Sequence, residues 1–156
     1  MLLSLLVYQG LATEELPHLR VNNIDLQSGF LNVPANNLVA RTIKLEACQM
    51  LLLLEYTRNK KPYAKLFPRL SIGRAGNHYN QLKSQIKKEL SKNQKHIPFK
   101  NLSQLRSSRI RLWIEKRGIL AAQYLAGHRS LISTQYYQKE ESAALRAIFE
   151  NIHPMF

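Results

Sequence analysis

The spacing of apolar residues along the chain predicts a mainly helical domain. Residues 1–9 are predominantly apolar and indicate a buried helix. Within residues 76–92 and 102–117, apolar side chains recur at spacings of three and four, which is typical of amphipathic helices. Residues 46–56 form a nearly continuous apolar run, which predicts a well-buried helix. Gly118 directly follows the second amphipathic pattern and is well placed to end that helix.

Shorter helices are predicted between and after these. Thr13, followed by two acidic residues, suggests an N-cap and a charged first turn, and Pro17 is compatible with a place in that turn. Three more helices are expected near the C-terminus, at residues 120–125, 131–137 and 142–152.

A small sheet is predicted between the first helices. Apolar residues in the range 23–33 lie on both sides of Gln27, Ser28 and Gly29, a sequence that indicates a hairpin with the glycine in the left-handed region. Residues 41–45 alternate and give a third strand. The expected fold class is therefore α+β, mainly α, with helices around a small three-stranded antiparallel sheet.

The length and composition of the chain indicate a single globular domain and exclude some kinds of chemistry. A chain of 156 residues with 45% hydrophobic residues is long enough to bury a core. The apolar N-terminal run lacks a basic flank and falls short of the roughly 20 residues that a membrane span needs, so we expect a cytoplasmic protein. Cys48 is the single cysteine, which excludes an internal disulfide and a Cys-based metal cage. Its apolar surroundings predict a core position.

Positive charge is concentrated in the middle of the chain. The net charge is +13, and residues 58–117 carry 17 Lys and Arg against two acids, Glu89 and Glu115. Solvated helix faces usually mix both signs, whereas a one-sided stretch marks a surface for phosphates or anionic lipid. We favour nucleic acid as the partner. An RNA-binding module is one alternative, and a preference for RNA over duplex DNA would support it.

Three residues in the second half of the chain supply parts for attack on a phosphodiester. A tyrosine hydroxyl such as that of Tyr137 can form a covalent phosphotyrosine link, while Arg106 and His128 can hold the charge that builds on the phosphate oxygens. Each residue also has a structural interpretation: Tyr137 as an aromatic residue of a helix, Arg106 as a basic surface residue and His128 as a helix cap. The apolar neighbours of Arg106 place its helix against the core, where a guanidinium needs an anionic partner.

The order of these motifs resembles that of the catalytic domain of tyrosine recombinases, the family of phage integrases and Xer-type recombinases. Residues 5–16 resemble the family's first box, in which Gly-Leu-Arg is followed by Ser-Glu-Leu, and residues 19–33 its three-stranded region. Leu66-Phe67 and Leu105-Arg106 are similar to two further motifs. Gly127-His128, with a tyrosine nine residues after the histidine, resembles the last. The likeness covers essentially the whole chain.

The resemblance implies roles for the residues that match. It implies that Tyr137 is the nucleophile, Arg106 a phosphate-clamping arginine and His128 the phosphate-binding histidine. It implies that the partner is duplex DNA and that the process is DNA recombination or integration, as in mobile elements. It also implies chemistry that needs no metal or cofactor. Candidate phosphate contacts lie around Arg106 and are Lys60, Lys61, Arg69, Arg74, Lys83, Lys87 and Arg109.

Three positions depart from the family pattern. Ala12 stands where the family has its first catalytic arginine, Ser103 where it has His or Lys, and Asn36 where a count back from the third strand places its catalytic lysine. Lys44 or Arg41 are possible substitutes. Losing an oxyanion donor costs about 10²–10³ in rate, and losing a general acid about 10²–10⁴. The chain is therefore either a recombinase with slow cleavage or a degenerate relic that binds duplex DNA without cutting it.

The resemblance also sets expectations for the ends of the chain. We expect residues 1–156 to be a single catalytic-type domain, a fragment without the N-terminal DNA-clamping domain that the family usually has. The apolar positions within 142–156 suit docking, either on a neighbouring recombinase protomer, as the family's tail often does, or back on the same domain.

Overall fold

The predicted helices and sheet are present in a computed structural model of the chain, which describes residues 1–70, 75–92 and 99–138. The α-helices are α1 Leu2–Tyr8, α2 Ala47–Thr57, α3 Ala75–Lys92, α4 Ser103–Arg117, α5 Ile119–Ala126 and α6 Leu131–Gln135. Single turns of 3-10 helix cover Leu16–His18, Val21–Asn23, Pro68–Leu70 and Tyr136–Gln138. The mainly helical α+β class is confirmed.

The sheet is antiparallel with the strand order β1-β2-β3. Its strands are β1 Ile24–Asp25, β2 Phe30–Val33 and β3 Arg41–Lys44. The hairpin between β1 and β2 turns at Gly29, which has a φ of 75°, as the sequence predicted. Alternation along β2 and β3 buries every second residue, so one face of this sheet joins the core and the other is exposed.

The core is built mainly from leucines. α4 packs against both α1 and α5. Its inward side chains Leu105, Ile110 and Trp113 are buried, as the spacing predicted. The largest fully buried side chains are Leu5, Leu6, Leu11, Leu16, Leu19, Leu31, Leu53, Leu66, Leu70, Leu105 and Ile110.

Helix α2 differs from its prediction. The apolar run predicted a well-buried helix, but Leu51 is 77% exposed and Leu54 56% exposed. Only Gln49 and Leu53 are buried along the helix, so α2 touches the domain along one narrow edge. Cys48, predicted to lie in the core, is exposed. The run of leucines was uninformative because a helix that is apolar all round has no periodicity to mark its inner side.

Two shorter predictions also changed in detail. The second helix, expected after Thr13, is reduced to a turn followed by the 3-10 segment Leu16–His18. The helix expected at 131–137 becomes α6 and a 3-10 turn. The helix predicted at 142–152 lies outside the described residues. Within residues 1–70, 75–92 and 99–138, every helix is too short or too polar to cross a membrane.

Candidate active site

Arg106 lies at the centre of the site, on the buried side of α4. Its Nη1 donates to the carbonyl of Gly10, just after α1, and its Nη2 donates to the carbonyl of Ala126 at the end of α5, at 2.7 Å. Ala126 is the last residue of α5, and a helix C-terminus leaves such carbonyls unpaired and carries partial negative charge, so this helix end favours a guanidinium. Burial lowers the pKa of Arg106, and the Glu15 carboxylate, 3.9 Å from Nη1, opposes that shift.

Glu15 is the buried anion of the site. Its two oxygens accept hydrogen bonds from Nη1 and Nη2 of Arg41 in a bidentate pair, and one of them also accepts from the backbone N–H of Ala12 at 2.8 Å. Arg41 completes its own contacts with a hydrogen bond from Nε to the carbonyl of Leu125 at 2.7 Å. Because the side chain of Arg41 is 0% exposed, its charge is neutralised inside the domain. Glu15 matched the family's first box, but its link to β3 was not visible in the sequence.

His128 is held at its backbone and at its ring. The backbone N–H of His128 donates to the backbone carbonyl of Gln123 at 3.1 Å. The side-chain Nε2 of Gln123 in turn donates to the backbone carbonyl of His128 at 3.3 Å. In the ring, Nδ1 is 2.9 Å from the Oγ1 of Thr134, and Nε2 is 3.4 Å from the Nη2 of Arg106. Burial, with Arg106 and then Arg41 nearby, lowers the pKa of His128 to about 4. The imidazole is therefore neutral at neutral pH.

Tyr137 lies against His128. It is half-buried in the 3-10 turn that follows α6, and its ring is stacked on the imidazole with centroids 5.7 Å apart and an interplanar angle of 13°. The ring of Tyr136 meets the ring of Tyr137 edge-on, with centroids 6.0 Å apart. The structure thus brings together Arg106 from α4, His128 from the connection between α5 and α6, and Tyr137 from the turn after α6.

The three departures from the family pattern lie around the same site. Ala12 is half-buried beside Glu15. Asn36 is half-buried too, and its Nδ2 donates to the carbonyl of Glu14 at 3.4 Å, next to Glu15 in the chain. Ser103 is exposed at the first position of α4, one turn before Arg106. A short neutral side chain therefore stands at each position.

The two possible substitutes occupy opposite faces of β3. Buried and exposed positions alternate along β3: Arg41 is on the buried face, bonded to Glu15, and Lys44 is on the exposed face. The backbone carbonyl of Lys44 accepts a hydrogen bond from the Nε2 of Gln9 at 3.1 Å. Arg41 is therefore part of the charge network under the site, and Lys44 is not among its hydrogen-bonded partners in the described part of the chain.

The candidate phosphate contacts fall into two groups. Lys61, Arg69 and Lys87 are exposed and Lys83 is half-buried, so their charges face or approach solvent. Lys60 places its Nζ 3.2 Å above the ring of Tyr56 and donates to the carbonyl of Leu66. Arg109 is 3.6 Å from the carboxylate of Glu46 and lies beside the Trp113 ring. Arg74 lies outside the described residues.

A cavity lies away from the site, and the described residues contain no metal cluster. An open cavity of about 490 Å³ adjoins β1 and its flanking turns, and none of its lining residues belongs to the site. Among the described residues, no group of three or more His, Cys, Asp and Glu side chains is placed to hold a metal ion. The site is recognised by its converging side chains.

Comparisons with known proteins give a structural likeness without close sequence relatives. No protein-family model matches the chain, and no curated protein matches it either. A crystal structure of XerA recombinase is similar with a TM-score of 0.66 and 22% identity, covering 98% of this chain and 55% of that one. The Tn1549 transposon integrase in complex with a circular intermediate DNA is similar with a TM-score of 0.70 and 18% identity, covering 96% of this chain and 57% of that one.

The same integrase in complex with transposon right end DNA has a TM-score of 0.66 at 17% identity, covering 97% of this chain and 58% of that one. The chain thus spans a little over half the length of the chains it resembles. At this identity the likeness concerns the fold, and it extends over nearly all of the chain. The chain has the fold of a tyrosine-recombinase catalytic domain.

Proposed function

We propose that this chain is a recombinase-type domain that binds duplex DNA and holds a backbone phosphate at Arg106 and His128. The observation that carries the proposal is the convergence of these two side chains with Tyr137: Arg106 lies on α4, 22 residues before His128, and Tyr137 follows in the turn after α6. Similar folds in the Tn1549 integrase are described in complex with DNA. The 17 bases in residues 58–117, against two acids, supply the long-range attraction that a polyanion requires.

Arg106 would have to exchange partners when a phosphate arrives. Its guanidinium now donates to two backbone carbonyls and faces the neutral His128 ring. A phosphate oxygen is a stronger acceptor than a carbonyl because the hydrogen bond becomes charge-assisted. The neutral imidazole can take up a proton beside that negative charge, since an anion nearby raises a histidine pKa. The two side chains can therefore bind an anion once Arg106 gives up a carbonyl partner.

If the domain cleaves DNA, Tyr137 supplies the nucleophile. Its oxygen would form a bond to phosphorus as the bond to the 5′ oxygen breaks, leaving a 3′-phosphotyrosine link and a free 5′ hydroxyl. The phenolic proton must leave, and the departing 5′ oxygen must gain a proton. Ser103 and Asn36 stand where the family has proton-transferring or cationic groups, and neither side chain can supply a proton efficiently at neutral pH.

A second candidate function is duplex binding without cleavage, and Arg41 favours it. Arg41 reaches Glu15, the carboxylate beside Ala12, yet its side chain is 0% exposed and donates to Glu15 and to the carbonyl of Leu125. A guanidinium bound in this way cannot contact a phosphate on the surface. With no replacement for the first arginine, the expected cleavage rate is lower by about 10²–10³ from that loss alone.

Two measurements separate the candidates. Binding to a labelled duplex as a function of salt tests the shared part of the proposal, and salt-independent or absent binding contradicts it. Incubation with a nicked suicide duplex then tests cleavage, with Tyr137→Phe as the matched control. A covalent adduct formed by the wild type and absent in Tyr137→Phe supports the active candidate. Binding that survives in Tyr137→Phe, with no adduct in either protein, supports the non-cleaving one.

Residues 142–156 suggest a further partner. Their apolar positions, Leu145, Ile148, Phe149 and Ile152, suit docking on another recombinase protomer. Sedimentation of the full chain and of a chain ending at residue 138, each with and without duplex, tests this proposal. Assembly on DNA that is equal for both chains contradicts it.

A further inference from the structure

Thr134 has a buried hydroxyl that contacts the candidate phosphate site. It lies on α6, between His128 and Tyr137 in the chain, and its exposure is 0%. Its Oγ1 is 2.9 Å from the Nδ1 of His128. Buried hydroxyl groups require a partner because water cannot reach them. The contact therefore fixes two groups at once, the hydroxyl and one side of the imidazole.

The partners of His128 determine which ring nitrogen carries the proton. The guanidinium of Arg106 has only N–H donors, so the Nε2 that faces it at 3.4 Å must accept. In the neutral imidazole the proton then lies on Nδ1, and this N–H donates to the Oγ1 of Thr134. Without the hydroxyl, the same N–H would lie in a half-buried place with no acceptor among these contacts.

The backbone contacts of His128 do not replace this bond. Gln123 holds the N–H and the carbonyl of His128, and both contacts leave the ring free to rotate about its side-chain bonds. Rotation would turn Nε2 away from Arg106 and would break the stacking on Tyr137. The orientation of the ring therefore depends on Nδ1.

We infer that Thr134 is a positioning residue: its hydroxyl holds the Nδ1–H of His128, so that Nε2 faces Arg106 and one face of the ring lies on Tyr137. The bond persists when the imidazole gains a second proton at Nε2, because Nδ1–H still donates to Oγ1. The histidine can thus change from accepting from Arg106 to donating to an anionic oxygen without moving. This use of the ring rests on the proposed function, whereas the positioning itself does not.

The first test needs no DNA. Nitrogen NMR of the wild-type chain at neutral pH distinguishes the tautomers of His128, and we expect the proton on Nδ1. Thr134→Ser keeps the hydroxyl and should keep that tautomer. Thr134→Val and Thr134→Ala remove it and should give a mixture of tautomers. Ser133→Ala, at the exposed neighbouring position, is the matched control and should match the wild type.

Three results would overturn the inference. One is a wild-type His128 with its proton on Nε2. Another is a wild-type tautomer in Thr134→Val or Thr134→Ala. The third is a Thr134→Ser protein that behaves like Thr134→Val. Because the wild-type and Thr134→Ser measurements need no disruptive substitution, poor folding of the other two variants does not prevent the test.

A second readout applies if the wild type forms the covalent adduct. Removing the partner that orients a metal-bound histidine typically costs 10–100-fold, and we expect a loss of roughly that size in the rate of adduct formation for Thr134→Val. An equal loss in Thr134→Ser would overturn the role in positioning. Failure of the wild type to bind DNA would instead contradict the proposed function and leave the NMR result standing.

Discussion

Two glycines at the ends of neighbouring helices show how one residue can be tied to the site. Gly118 and Gly127 both have positive φ, 82° and 70°. A Cβ added at Gly118 meets nothing within 4 Å, whereas one at Gly127 would lie 2.6 Å from Nη1 of Arg41 and 3.0 Å from the carbonyl of Val39. Gly127 is therefore required by the backbone conformation and by the close approach of Arg41.

This contrast predicts different costs for the same substitution. Gly118→Ala should lower the free energy of unfolding by about 1–3 kcal/mol, because its φ of 82° and ψ of 165° lie in a region that is essentially restricted to glycine. Gly127→Ala should cost about 1–3 kcal/mol more, because Arg41 must move away from Glu15. Urea unfolding of both variants measures the difference. Equal losses would mean that the contact with Arg41 carries no energy.

The shifted pKa of His128 gives a prediction for acid stability. Its value in the folded chain is about 4 against 6.5 for an ordinary histidine, owing to burial and to Arg106 and Arg41, with Glu15 opposing. The unfolded chain therefore takes up this proton first as the pH falls. The contribution to stability is complete above pH 6.5 and is lost between pH 6.5 and 4.

A comparison with His128→Gln isolates this contribution. The wild type should lose more free energy of unfolding than His128→Gln when the pH is lowered from 7 to 4.5, because the variant has no proton to take up at this position. Denaturant unfolding at several pH values provides the measurement. Parallel pH profiles for the two proteins would contradict the lowered pKa.

At the scale of elements, a polar clasp joins α1 to α2. Gln9 and Gln49 are both 0% exposed and exchange two side-chain hydrogen bonds, of 2.8 and 2.9 Å. The Oε1 of Gln49 also accepts from the backbone N–H of Glu46, at the start of α2. The clasp fixes how α2 leaves the sheet, and this compensates for the small apolar area that α2 buries.

Replacing one of the two glutamines should cost more unfolding free energy than half the cost of replacing both. Gln9→Leu or Gln49→Leu alone leaves a buried amide without its partner, at a cost of about 1–3 kcal/mol each. The double variant leaves neither amide, so its loss of unfolding free energy should be smaller than the sum of the single losses. A double-mutant cycle by urea unfolding measures this coupling. Strictly additive losses would show that the two amides act independently.

The outer side of α2 gives a second prediction at this scale. Leu53 is 0% exposed and Leu51 is 77% exposed, although both belong to the same run of four leucines. Leu53→Ala should cost about 2–5 kcal/mol of unfolding free energy, whereas Leu51→Ala should change it by less than about 0.5 kcal/mol. Thermal or urea unfolding of the pair checks the burial pattern. A large loss in Leu51→Ala would mean that the outer face is covered.

At the scale of the whole molecule, the positive charge is concentrated in one part of the chain. Residues 58–117 hold 17 of the 23 bases and only two of the ten acids, while the residues of α1 and the sheet are close to neutral. The exposed members, such as Lys61 and Arg69, are available to phosphates, and Lys60 and Arg109 already have partners within the domain. Exposure therefore ranks the basic residues in a way that the charge count does not.

This ranking predicts the salt dependence of duplex binding. Lys61→Gln or Arg69→Gln should each reduce the slope of log affinity against log salt by about 1, the value for one lost phosphate contact. Lys60→Gln is the matched control and should leave the slope nearly unchanged, because the Lys60 ammonium already contacts the Tyr56 ring and donates to the carbonyl of Leu66. Unchanged slopes for Lys61→Gln and Arg69→Gln would place the DNA on a different surface.

The sequence alone determined the order of elements and the chemistry available to the site. Apolar spacing was enough for α3, α4 and the hairpin at Gly29, because these patterns depend only on neighbours in the chain. Ordered motifs singled out Arg106, His128 and Tyr137. Local patterns failed at α2, where apolar residues all round gave no direction, and at Cys48 within it.

The tertiary structure decided which polar groups meet. The pairing of Glu15 with Arg41, the clasp of Gln9 with Gln49 and the bond from His128 to Thr134 each depend on side-chain directions. The first two join residues far apart in the chain, and the third spans a helix start whose geometry no spacing rule specifies. Burial then sets the energy of these contacts, because a buried charge or amide must be matched by its partner. That is why a sequence can name the residues of such a site while only the fold assigns their partners.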